Sequence, residues 1–123
     1  MNRCFTNILS TDVARAAQFY QELLGMQRHF DSDWFVILTH PERKDLELGI
    51  LERDCDAVPE IIRANPAGII VTFVVENLDT VHKQASALGA EILEEPTDMF
   101  YGQRRMLLSD PDGTTIDVSS PRS

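Results

Sequence analysis

Leu24-Gly25-Met26 and Leu88-Gly89-Ala90 stand at matching places in the two halves of this 123-residue chain, each closing a helix-period run and opening a strand-like one. That duplication constrains the fold more than any other feature, because a repeated order of elements is the mark of an internal repeat with drifted sequence. In the first half, residues 3–9 read as a strand. A helix follows, capped by Thr11 or Asp12, with Val13, Ala16, Ala17, Tyr20 and Leu24 at helical spacing and Gly25 as its stop. Strands are then expected at 26–30, 34–39 and 46–51, separated by segments rich in Asp, Ser, Pro and charge. In the second half, an apolar strand at 69–75 precedes a helix capped by Asn77, with Leu78, Val81, Ala85 and Leu88 on one face and Gly89 as its end. A strand near 90–93, a loop through 96–102 and a terminal hairpin complete it.

Both halves therefore read βαβββ. The fold class is α+β: two βαβββ repeats forming a curved mixed sheet around a ligand hollow, each helix covering one sheet face. Repeat one spans about 1–55, a linker about 56–66 and repeat two about 67–120, within a single domain. The linker is polar, and its apolar anchors are expected to be Ile61 and Ile62. Whether the halves pack within one chain or exchange between subunits is left open by the pattern.

Hydrophobic residues at 43% and charged residues at 25% sit near globular averages, which argues against disorder. No apolar run approaches a membrane span, and Asn2 and Arg3 open the chain without a signal core, so a cytoplasmic location is expected. Cys4 and Cys55 lack metal-type spacing and are expected to be reduced thiols. A formal net charge of −9 disfavours nucleic acid and anionic membrane surfaces as partners, leaving neutral or cationic ones, although acidity also serves solubility.

The terminal hairpin is the most legible local motif. Asp110-Pro111-Asp112-Gly113 joins strands at 104–109 and 114–119. Pro111 presets φ, Asp112 can bond its own backbone, and Gly113 can take the positive φ that closes the turn. Ile116 and Val118 share one face of the last strand, which puts Asp117 on the other, facing either water or a site. Together with Phe19-Tyr20-Gln21-Glu22-Leu23-Leu24-Gly25-Met26 and the doubled βαβββ order, this motif resembles the vicinal oxygen chelate superfamily. That superfamily includes glyoxalase I, extradiol dioxygenases, methylmalonyl-CoA epimerase and the bleomycin resistance proteins. The resemblance covers nearly the whole chain and speaks to fold more than to activity.

Metal-dependent members of that superfamily place ligands on the first and last strand of each half. Carried over by position, those places fall on Phe5, Glu47, Ile70 and Asp117. Glu47 and Asp117 match in type, whereas Phe5 and Ile70 carry no donor. A divalent transition metal wants at least three protein donors, so no metal cofactor is expected. Glu47 and Asp117 would then form an acidic pair able to hold a cationic or amine-bearing ligand, or one of them could serve as a general base. The competing reading leaves Glu47 solvated and pairs Asp117 with Arg104 or Arg105 across the hairpin.

Trp34, Phe100 and Tyr101 are candidate stacking surfaces, and they could equally close the ends of the core or a dimer contact. Arg104 and Arg105 must point to opposite faces, and Arg104 is taken as the ligand-side one. The favoured function is a small-molecule binding protein of the superfamily. It would be metal-free and homodimeric, similar to the bleomycin resistance proteins, and would sequester a cationic or aromatic compound. The alternative is a metal-dependent lyase, dioxygenase or epimerase of the same superfamily.

Overall fold

Two four-stranded sheets, each carrying one helix, make up the computed structural model of the chain, which describes residues 1–122. The first unit, Met1–Pro66, contains β1 (Thr6–Ser10), α1 (Val13–Leu24), β2 (Gln27–Asp31), β3 (Phe35–Thr39) and β4 (Glu47–Glu52). Its strands lie in the order β1-β4-β3-β2, with β1 parallel to β4 and the other pairs antiparallel. The second unit begins at Ala67 and contains β5 (Ile70–Val74), α2 (Leu78–Ala87), β6 (Glu91–Asp98), β7 (Gln103–Ser109) and β8 (Thr115–Pro121). Its order, β5-β8-β7-β6, repeats the first topology strand for strand. Both units are βαβββ, as the duplicated sequence grammar implies.

Local chemistry sets the helix limits. Asp12 caps α1 by accepting from the Arg15 amide at 3.1 Å, and Asn77 caps α2 by accepting from the Thr80 amide at 3.2 Å. Gly25, at φ 69°, closes α1 by donating its amide to the Gln21 carbonyl at 2.9 Å. Each helix then covers one sheet face. Ala16, Ala17 and Tyr20 of α1 bury Val36, Leu38, Leu48 and Ile50, while Leu78, Val81 and Ala85 of α2 bury Met106, Leu108, Ile116 and Val118. Alternation along the strands sends the remaining side chains to the helix-free faces.

Asp110 builds the terminal turn. Its Oδ1 accepts from the amides of Asp112 and Thr114, both at 2.9 Å, while Gly113 takes φ 91°. Gly113→Ala therefore forces a Cβ into the left-handed region and is expected to cost about 1–2 kcal/mol, read as a lowered urea midpoint with an unchanged slope.

Three local expectations change. The strand expected at 3–9 runs from Thr6 to Ser10, so residues 3–5 lie ahead of it, outside the ladder with β4. Ile61 and Ile62 do not anchor the linker: they sit in a short 3-10 turn, 93% and 55% exposed, and the buried residue there is Val58. Arg63 secures the segment by donating to the carbonyls of Val58 and Cys55, both at 3.0 Å, so polar bonds do what apolar burial was expected to do. The strand expected at 90–93 runs on to Asp98 and passes through Pro96. This is possible because β6 is an edge strand and its register shifts between Glu94 and Thr97, so no ladder bond needs the missing proline amide.

Candidate functional site

On the helix-free face of the first unit, register sets Glu47 opposite Thr39 of β3, and the ring of Phe5, just ahead of β1, lies beside Gly49. Arg3 closes over this corner. Its Nε donates to both Glu47 oxygens, at 3.0 and 2.8 Å, and its Nη2 donates to Oε1. The guanidinium carbon also lies 4.7 Å from the centroid of the Phe5 ring, close enough for cation–π attraction. The Glu47 side chain is only 5% exposed beneath a half-exposed Arg3. Beside it the Asn7 side chain occupies the space over Gly49, where an added Cβ would fall 2.0 Å from Asn7 Oδ1. Thr39 is fully buried, and its Oγ1 has no hydrogen-bond partner.

The Arg3 bond holds the Glu47 carboxyl below its ordinary value of 4.5; burial opposes this, His29 lowers it further and Asp45 raises it. A lowered folded-state value means that the contact's contribution to stability is complete above pH 4.5 and is lost as the pH falls through the lower folded value. An acid titration followed by the Arg3 Nε–H resonance is expected to show the bond intact at pH 4.5 and released only below it.

On the helix-free face of the second unit, Asp117 is 8% exposed between Thr72 of β5 and Leu107 of β7. Its Oδ2 accepts from the Thr72 hydroxyl at 3.2 Å, and its buried Oδ1 has no partner. Ile70 precedes Thr72 on the same face and is 56% exposed. Arg105 shares this face. It donates to Glu94 at 3.3 Å, and that bond, with a smaller contribution from the Tyr101 hydroxyl, holds its guanidinium above the ordinary value.

Phe5 and Glu47 are thus brought together in one unit, and Ile70 and Asp117 in the other. Tyr101 borders the second face through Arg105. Phe100, 93% exposed, stands edge-on to Tyr101 at 5.1 Å. Trp34 packs beside Phe35 at 5.8 Å, at the end of β3 remote from Thr39 and Glu47. Arg104 is not beside Asp117. It shares the parity of Met106 and Leu108, lies opposite Ser120 and donates to Asp98 at 3.3 Å. Neither hairpin arginine pairs with Asp117 in a hydrogen bond, and Glu47 is not a solvated group. The residues that sequence reasoning missed are Arg3, Thr39 and Thr72, and of the two hairpin arginines it took Arg104 rather than Arg105 as the ligand-side one. The parity of Met106 and Leu108 could have separated Arg105 from Arg104.

The donors do not fit a divalent transition metal. Of the four places, Phe5 and Ile70 offer no donor atom, and both oxygens of Glu47 are engaged by Arg3. His40 Nδ1 accepts from the amides of Glu42 and Arg43, and His82 bonds Glu95 at 2.8 Å. Among the described residues no three His, Cys, Asp or Glu side chains gather in a metal-binding group.

Residues 4–118 match the family model of the Glyoxalase/Bleomycin resistance protein/Dioxygenase superfamily. The chain belongs to that superfamily. Solved structures share its fold. A glyoxalase/bleomycin resistance protein/dioxygenase family enzyme from Burkholderia phytofirmans PsJN superposes with a TM-score of 0.81 at 19% identity, over 96% of this chain and 97% of its own. A superfamily member from Sphaerobacter thermophilus gives 0.80 at 22%, over 98% and 97%. A protein from Agrobacterium tumefaciens gives 0.78 at 23%, over 100% and 99%. No curated protein matches the sequence. The superfamily hosts several chemistries on one scaffold, so what this member does must be argued from its own side chains.

Proposed function

We propose that the chain is a metal-free small-molecule binding protein of the glyoxalase/bleomycin resistance superfamily, with its ligand site on the helix-free face around Asp117. The observation that carries this reading is Asp117 Oδ1: a buried carboxylate oxygen with no hydrogen-bond partner, beside the exposed side chain of Ile70. Buried acceptors are nearly always satisfied, and one left open on a sheet face is suited to a donor from outside. An ammonium or hydroxyl group on an aromatic or apolar body fits: the donor bonds Oδ1, and the body lies along Ile70 and Leu107. Arg105, which shares this face, is engaged with Glu94. The metal-free part of the reading draws on the two donorless positions and on the Arg3 bonds that occupy Glu47.

Titrating nitrogen-15-labelled protein with benzylammonium tests the site. Saturable shifts at the amides of Thr72, Asp117 and Ser119 are expected. Shifts that avoid these residues, or none at millimolar ligand, would sink it. Metal analysis of protein purified without chelator tests the rest, and stoichiometric metal with turnover of a glutathione hemithioacetal would overturn it in favour of a lyase.

In this reading the protein works as a cytoplasmic homodimer. No helix among the described residues is long and apolar enough to cross a membrane. Ile69, just ahead of β5, and Val74 at its end leave apolar surface exposed for a second subunit to cover. Sedimentation velocity of the purified protein measures that state.

A further inference from the structure

We propose that the Glu47–Phe5 corner of the first unit is a guanidinium-binding site whose resident occupant is the chain's own Arg3, and that an external guanidinium or amidinium compound binds by taking its place. This goes beyond the Asp117 reading and rests on different residues in a different unit.

The corner has the shape of the group it holds. A planar cation with parallel N–H donors meets both oxygens of one carboxylate, and its central carbon lies 4.7 Å from the centroid of an aromatic ring. Glu47, at 5% side-chain exposure, needs a cation there, since a carboxylate withdrawn from water and left unpaired is costly. Yet the cation comes from an arm held by no ladder: residues 1–5 lie outside any strand. Arg3 is itself half exposed and is fastened through Glu47 and Phe5. A second polar group is also unfilled, because the buried Thr39 Oγ1, opposite Glu47 on β3, lacks a partner. An incoming amidinium therefore finds what Arg3 uses and one acceptor that Arg3 leaves free.

A tethered occupant competes as though present at millimolar concentration. The apparent affinity for an outside cation is then reduced by the fraction of molecules whose corner is open. Removing Arg3 lifts that reduction, so binding should improve on loss of a positive charge that touches the ligand's own site. A neutral ligand of the same shape should gain nothing.

Benzamidinium is the probe, measured by titration calorimetry at neutral pH and low salt. Arg3→Ala is expected to bind it at least about tenfold more tightly than the unaltered protein. The double variant Arg3→Ala/Glu47→Gln is expected to lose that gain. Equal or weaker binding by Arg3→Ala overturns the proposal, as does a gain that survives Glu47→Gln. In the unaltered protein, saturating benzamidinium should move the Arg3 Nε–H resonance to the position of a solvated arginine. A resonance that stays in place also overturns it.

Discussion

Asp117→Asn is expected to weaken an amine-bearing ligand by roughly 10- to 150-fold, the equivalent of about 1.5–3 kcal/mol for a charge-assisted bond in a buried site. The same change should leave stability level or slightly raised. An amide oxygen still accepts from Thr72, which bonds Oδ2 at 3.2 Å, and an open carboxylate oxygen is no longer kept from water. Opposite signs for affinity and stability are the signature of a group retained for binding. Calorimetric titration with benzylammonium and a urea melt on the same preparation measure both. A variant that loses stability while keeping its affinity would assign Asp117 to the packing of its sheet.

Tyr20→Ala is expected to cost about 3–5 kcal/mol, the range for truncating a fully buried aromatic side chain. Tyr20 has no exposed surface, lies on the inward face of α1 and meets the Phe19 ring edge-on at 5.4 Å. Its loss opens a cavity over Val36, Leu38 and Ile50, residues held by β-sheet pairing that limits how far they can collapse into it. Urea unfolding followed by circular dichroism should show a much lower midpoint. A change below about 1 kcal/mol would mean that the helix re-seats without its central side chain.

The doubled order of elements was legible because each boundary carries its own chemistry. Asp12 and Asn77 cap, Gly25 and Gly89 stop, and Asp110 to Gly113 turn; none of these needs a distant partner. The alternation of Ile116 and Val118 placed Asp117 on the helix-free face for the same reason. What lay beyond reach was contact across long separations. Arg3 meets Glu47 from 44 positions away, and nothing local to an arginine at position 3 marks it as a partner. The acidic pair inferred from Glu47 and Asp117 rested on that gap. With Arg3 in place, Glu47 is a neutralised carboxylate, and only Asp117 keeps an open oxygen. The choice between Arg104 and Arg105 could have been made from sequence, by counting parity back from Met106. Burial of the linker could not, because the exposure of Ile61 and Ile62 depends on Arg63 reaching two carbonyls behind it.

Pro96 has a bearing on how this protein behaves when concentrated. A strand at the rim of a sheet offers a row of unused amides and carbonyls to any neighbouring chain, which is how lateral growth into fibrils starts. On β6 that row is interrupted twice, by the register shifts after Ile92 and after Glu94, and the second interruption spans a residue with no amide hydrogen. Of the acidic residues along the same rim, Glu94, Glu95 and Asp98 are engaged by Arg105, His82 and Arg104, so it is the broken register rather than bare charge that blunts the edge. A second molecule approaching there meets an irregular border, one of whose breaks lacks an amide hydrogen, which disfavours strand addition on this side of the sheet.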